Sequence, residues 1–220
     1  MDVFQAIQNR TSCRVFMPDP VPRELIRELL SWAGKAPSAI NVQPWEFVVV
    51  TGRERDRLVQ RLLQTHREKQ VSCGAGTSRP LPEPWIGRQR RLFAGMKPVA
   101  EQLSLDLNNF IGEGSCRFYE APAVLLVFLD RLFPASRMVC VGMALGYFLL
   151  AAQAKGLGTC PIGLINAYEE EIKEQLNVPE DKQMLLGIAL GYRDPQSPLN
   201  QFKSDRDDME PMIRWITSRP

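Results

Sequence analysis

The sequence is poor in the side chains that most enzymes use for their own chemistry. It has one histidine, and its five cysteines (Cys13, Cys73, Cys116, Cys140 and Cys160) include no Cys-x-x-Cys pair. A structural zinc site and a disulfide framework are therefore not predicted, and an odd number of unpaired thiols suits a reducing cytoplasm. The histidine, His66, stands among Arg67, Glu68 and Lys69. It reads as a solvated surface residue, with no carboxylate cluster to make it a metal ligand or a member of a Ser-His-Asp triad. Charge is also nearly balanced, at +2 over 220 residues. That gives no case for nucleic acid, and the basic residues of 53–69 and 88–91 read as solvated faces. The N-terminus has no basic stretch leading into an apolar run, so no signal peptide is expected. The longest uncharged run, Met138 to Ala154, is just short of a membrane span and contains Gly142, Gly146 and Gln153. It reads as a core helix or a subunit interface rather than a membrane helix.

What remains is ordinary globular material, 45% hydrophobic and 24% charged, without internal repeats or an evident linker. It predicts a single domain over residues 1–220. Helices are expected over residues 2–9, with Val3, Ala6 and Ile7 on one side, over 23–33, and over 53–69. Strands are expected at 46–51, 123–129 and 183–192, the central apolar helix at 137–155, and a short acidic helix at 168–176. Residues 71–119 carry the weakest core signal and read as a lid or a peripheral insertion.

Three stretches carry chemical information. If residues 10–16 are extended, Arg10, Ser12 and Arg14 point one way and Cys13 and Val15 face the core. Two guanidiniums and a hydroxyl on one side make a phosphate clamp, or simply a solvated strand end. Ala36-Pro37-Ser38-Ala39-Ile40-Asn41-Val42-Gln43-Pro44-Trp45 holds two amides and a hydroxyl between prolines. Such a loop either reads the edge of a polar heterocycle or satisfies its own backbone. The stretch from Gly156 to Gly163 reads as a glycine-rich turn offering backbone N–H groups. It is not a dinucleotide fingerprint, because Pro161 takes the third glycine's place, and Gly74-Ala75-Gly76 lacks the strand that should precede one.

Taken in order, these stretches resemble the nitroreductase family of FMN-dependent oxidoreductases. Arg10-x-Ser12-x-Arg14-x-Phe16 is similar to its phosphate motif, and Ala36-Pro37-Ser38-x-x-Asn41-x-Gln43-Pro44-Trp45 to its flavin loop. Leu149-Leu150-Ala151-Ala152 with Gly156-Leu157-Gly158 and Pro161-Ile162-Gly163 resembles its central helix and flavin-facing turn. The Gly191-Tyr192 strand end and Lys203-x-x-Arg206 complete the set. The resemblance implies an α+β fold of three α/β/α layers around a mostly antiparallel sheet. It also implies an intertwined homodimer with FMN at the interface. Arg10, Ser12 and Arg14 would hold the FMN phosphate and ribityl chain, and Arg206, with Lys203, would close on the same phosphate. Pro37, Ser38 and Asn41 would reach the flavin from the partner subunit, while Pro161, Ile162 and Gly163 pass along the ring.

No side chain is then required as a catalyst, because the flavin supplies the reactive atom, N5. NADH or NADPH would reduce it, and a nitroaromatic, quinone or similar small aromatic acceptor would be reduced in turn by a ping-pong mechanism. Trp85, Phe110 and Phe118 are candidates for stacking on that acceptor, with core or lid packing as the alternative. Alternatives on the same fold are reductive dehalogenation, flavin destruction, or a non-catalytic flavin-binding sensor. Two positions depart from the family pattern. Thr11 stands where many members have a basic residue, and Gly163 where several have an acidic one. The charged lid of the deiodinase branch is not recognisable.

Overall fold

The computed structural model describes residues 1–69, 71 and 80–217; Cys73 and Gly74-Ala75-Gly76 lie outside the described residues. Four strands form one sheet: β1 (Trp45–Thr51), β2 (Ala123–Asp130), β3 (Leu157–Ile162) and β4 (Lys182–Tyr192). Their order is β1-β2-β4-β3, and every neighbouring pair is antiparallel. Strand side chains alternate between faces, so an unbroken apolar run belongs to a strand covered on both sides. In β2, Ala123, Leu125, Val127 and Leu129 enter one core while Val124, Leu126 and Phe128 enter the other. The first core is closed by α2 (Arg23–Ala33) and α6 (Met138–Ala154), and the second by α3 (Gly52–Lys69), α5 (Leu107–Cys116) and α7 (Glu169–Leu176). This is the three-layer α+β architecture that the family resemblance implied.

Close packing fixes the sheet's centre at Gly187. A Cβ there would lie 2.3 Å from Ile165 Cδ1 and 3.3 Å from both Leu126 and Phe118. Phe118 is fully buried at this contact. Its ring therefore belongs to the core, and its candidacy as an acceptor-stacking residue is withdrawn.

The structure corrects the sequence reading in four further places. First, α1 (Val3–Asn9) forms with a capping box between Asp2 and Gln5, but only Ala6 is buried. Val3, Phe4 and Ile7 face outward. Second, Gly156 to Gly163 is not a turn throughout. Gly156 makes the turn at φ +79°, and β3 then runs along the sheet edge. Third, residues 71–119 are not uniformly peripheral, since Cys116, Phe118 and Tyr119 are core residues. By contrast, α4 (Trp85–Gln102) buries only Met96 and Ala100. Fourth, His66 is half-buried rather than solvated. Its Nδ1 lies 2.6 Å from the hydroxyl of the fully buried Tyr168, and its ring packs over Gly112. A surrounding run of charged residues hid these contacts, which depend on α5 and the 164–168 turn lying against this face of α3.

Helix α6 is apolar almost all round, yet within this chain it buries only Cys140, Val141, Ala144, Leu145, Phe148 and Ala152. Val139 and Tyr147 face outward, and nothing lies within 4 Å of where a Cβ would stand on Gly142 or Gly146. One side of the helix therefore forms core, and another presents an open apolar face.

Candidate functional site

The N-terminal segment leaves α1 at Arg10, whose φ of −64° and ψ of 122° turn the chain from helix to extended. It then runs beside the outer edge of β3. Ser12 bridges Thr159 in parallel, and the Cys13 N–H donates to the Thr159 carbonyl at 2.9 Å. This approach requires a glycine opposite, because a Cβ on Gly158 would lie 2.7 Å from Cys13 Sγ. Cys13 is buried as expected, and burial pushes its thiol up to about 11. Val15 is half-buried.

The segment's second anchor is Asn200, in the short helix α8 (Pro198–Gln201). Its Oδ1 accepts from the Arg14 and Val15 N–H groups at 2.9 and 3.3 Å. Its Nδ2 donates to the Val15 and Asp194 carbonyls at 2.7 and 3.0 Å. Asn200 is 1% exposed. No sequence pattern marked it, because its partners lie 185 or more residues away for the clamp segment. Arg193 adds a hydrogen bond to Thr11 Oγ1 at 3.3 Å.

From α8 the chain continues as an extended strap that returns to the same place. Arg10, Ser12, Arg14, Lys203 and Arg206 together line one pocket of about 420 Å³. Among the described residues, no acidic side chain lines it. Burial, and then the charge of Arg206, holds the Arg10 guanidinium below its ordinary value. Among the described residues, Arg206 donates only to Ser204 and to the Asp205 carbonyl. Arg14 Nε is buried without a partner among the described residues. Among the described residues, none of the four cations has an ion-pair partner, although thirteen other lysines and arginines do. Like charges held together without a counter-ion describe a site for an anion, and arginine forks match phosphate oxygens.

Arg14 also has an unexpected support. Its Cζ stands 5.8 Å from the centroid of the Tyr119 ring. Tyr119 lies in a turn where Phe118, Tyr119 and Glu120 all take left-handed φ values of 50–58°. Such conformations cost about 1–2 kcal/mol each and collect at functional sites. Gly114 admits the ring, because a Cβ there would lie 2.7 Å from Tyr119 Cε1. On the far side of Arg14, Phe110 and Tyr119 line a second cavity of about 500 Å³, with ring centroids 5.5 Å apart. Trp85 begins α4, half-exposed, and lines neither cavity.

Pro161 and Gly163 lie at the end of β3, close to the residues that bridge to Ser12, and both are exposed. Nothing occupies the space where a Gly163 side chain would project. Ile162, between Pro161 and Gly163, is buried in the core. Burial raises the neighbouring Cys160 thiol despite the charges of Arg14 and Arg10. Pro37, Ser38 and Asn41 are not brought to this pocket within the chain. Their loop is braced internally: the Gln43 N–H donates to Ser38 Oγ at 2.9 Å, and Gln43 Nε2 donates to Asn41 Oδ1 at 3.2 Å. Ile40, Asn41 and Gln43 all have positive φ, and Ile40 is almost fully exposed. A branched residue held there is strained, which favours a loop built to contact something over a passive connector.

The nitroreductase family model matches residues 7–192. The chain is 31% identical to chloronitrobenzene nitroreductase of Comamonas testosteroni over 96% of its length and 95% of that protein's. It is 32% identical to nitroreductase NfnB of Mycolicibacterium smegmatis, covering 98% and 94%. A crystal structure of the FMN-dependent nitroreductase NfnB from Mycobacterium smegmatis in complex with NADPH superposes with a TM-score of 0.82 at 29% identity, covering 97% of each chain. Iodotyrosine deiodinase of Thermotoga neapolitana is 26% identical over 89% of this chain and 91% of its own. The chain therefore belongs to the nitroreductase family, the FMN-dependent NAD(P)H oxidoreductases.

Proposed function

We propose that this protein reduces nitroaromatics, quinones or similar small aromatic acceptors with NADH or NADPH, using FMN held in the cationic pocket. The observation that carries the reading is the cluster of Arg10, Arg14, Lys203 and Arg206 without an internal counter-ion, with Arg14 Nε buried and unpartnered. A phosphate dianion supplies what those groups lack. When bound, FMN would take hydride from the nicotinamide and pass electrons to the acceptor. The chain's own residues bind and orient. Arg10, Ser12, Lys203 and Arg206 take the phosphate, and Arg14, braced by Tyr119, lies next along the groove. Exposed Pro161 and Gly163 flank buried Ile162 at the end of β3, and Gly163 leaves open space there for the ring. Dehalogenation remains the second reading, favoured by the deiodinase likeness.

We read the working form as a homodimer in the cytoplasm, with Pro37, Ser38 and Asn41 completing the partner's site. The open face of α6, the outward residues Phe4 and Ile7, and the exposed tail residues Trp215 and Ile216 support the dimer. Exposed apolar residues on α1 and α6, which pack side by side, mark an interaction surface.

The direct test is the absorbance spectrum of the purified protein followed by NADH and NADPH titration under nitrogen. A flavin spectrum bleached by either donor is expected, and protein that neither carries nor rebinds FMN sinks the proposal. Arg14→Ala should weaken FMN binding by about 10- to 100-fold, the loss of one charge-assisted contact. Fluorescence titration of the apoprotein reads it, and an unchanged dissociation constant would remove Arg14 from the clamp.

A further inference from the structure

Helix α4 contributes little to either core, yet one of its faces is built to hold the strap. Arg88, Arg91 and Gly95 are spaced i, i+3 and i+7, so they share a stripe along the helix. Each meets one end of the segment from Phe202 to Asp207. The Phe202 ring lies directly on the α4 backbone, because a Cβ on Gly95 would fall 2.9 Å from Phe202 Cε2. At the other end, Asp207 is gripped on both oxygens. Arg88 Nε donates to Oδ2 at 2.7 Å, and an Arg91 terminal nitrogen donates to Oδ1 at 2.5 Å. The partners are more than a hundred positions apart in sequence. Arg88 foremost holds the Asp207 carboxyl below the ordinary carboxylate range.

Between these two attachments lie Lys203 and Arg206, the C-terminal half of the phosphate clamp. Among the described residues, no other hydrogen bond or ion pair ties 203–207 to the rest of the chain. Arg206 bonds only to Ser204 and Asp205, inside the strap itself. A cavity of about 750 Å³ lies between strap and helix, lined by Arg88, Arg91 and Gly95 on one side and 202–207 on the other.

We propose that α4 is the rail that positions the C-terminal arm of the clamp, with Arg88, Arg91 and Asp207 as positioning residues for Arg206. The inference rests on the FMN reading for its functional consequence. Asp207 follows Arg206 directly, so releasing the carboxylate frees the guanidinium to leave the pocket. Coupling is reciprocal: phosphate bound by Arg206 draws Asp207 onto Arg88 and Arg91 and so holds α4 in place.

The experiment compares FMN binding to the apoprotein for wild type, Asp207→Asn, Arg88→Gln/Arg91→Gln and the triple variant. Asp207→Asn should raise the FMN dissociation constant about three- to tenfold, through faster dissociation, as expected for two partly exposed ion pairs. The double arginine variant should match it, and the triple variant should lose no more than either, because all three remove one interaction. Amide hydrogen exchange gives a second readout, with added FMN slowing exchange in α4 of wild type but not of Asp207→Asn. An Asp207→Asn dissociation constant within about twofold of wild type, or losses that simply add, would overturn the proposal. Wild type that does not bind FMN would instead overturn the functional reading. Exchange in the apoprotein would then still decide the anchoring, through faster exchange at 202–208 and α4 in Asp207→Asn, and equal exchange would overturn it.

Discussion

Replacing Asn200 with leucine is expected to destabilise the apoprotein by about 2–4 kcal/mol and to abolish FMN retention on purification. Leucine fills nearly the same volume, so the packing of a residue that is 1% exposed hardly changes. What disappears is the pair of hydrogen bonds that Oδ1 accepts from the Arg14 and Val15 N–H groups, together with the two that Nδ2 donates. The Val15 carbonyl keeps the Asp194 N–H at 3.2 Å, but the two amide hydrogens lose their side-chain acceptor. Leaving a partly buried donor unmet costs about 1–3 kcal/mol, more than the bond's own net contribution. The chain can escape that cost only by rotating the peptides toward water, which carries the Arg14 side chain out of the clamp. Urea denaturation of the apoprotein and fluorescence titration with FMN read the two effects separately. Unchanged urea stability would show that Asn200 does not pin the segment. Lost stability with normal FMN affinity would show that pinning does not set the clamp.

Asn200 also marks the boundary of what the sequence discloses. The sheet's central strand was legible, since an uninterrupted run from Ala123 to Leu129 admits little else, and so was α2, whose apolar stripe ends at Gly34. The cationic residues of the pocket were legible because Arg10, Ser12 and Arg14 have strand spacing and Lys203-x-x-Arg206 follows a recognisable order. Their supports were not legible. Asn200, Tyr119 and Gly158 act through contacts between segments far apart in the chain, and one asparagine or tyrosine carries no local period. Gly158 was noticed as an exposer of backbone N–H groups, whereas its part in the structure is to let Cys13 pack against β3. The strand from 157 to 162 has no legible sequence signal because Gly158 and Pro161 disfavour central strands; at the sheet edge Pro161 is tolerated. Phe118 failed as a stacking candidate because exposure is set by tertiary packing, here by Gly187 opening space for its ring.

The charge reversal Arg10→Glu should have effects of opposite sign on binding and on stability, which makes it the sharpest test of the pocket. FMN affinity should fall about 1,000-fold or more: one charge-assisted contact is lost and a carboxylate then faces the phosphate, together worth about 4 kcal/mol. The apoprotein should become slightly more stable. In wild type the Arg206 charge opposes that of Arg10, and the four cations have no acid among them. A glutamate at position 10 meets that excess and would pair with Arg206, contributing about 0.2–1 kcal/mol as a partly exposed ion pair. Melting of the apoprotein should therefore shift upward by a degree or more, about what a few tenths of a kcal/mol give in a chain of this size. The upward shift that added FMN produces in wild type should vanish. A structural role for Arg10 predicts the reverse, with a lower apoprotein melting temperature and FMN binding lost only as the fold is lost. Binding retained within about tenfold would place the phosphate elsewhere and remove the cationic pocket as its site.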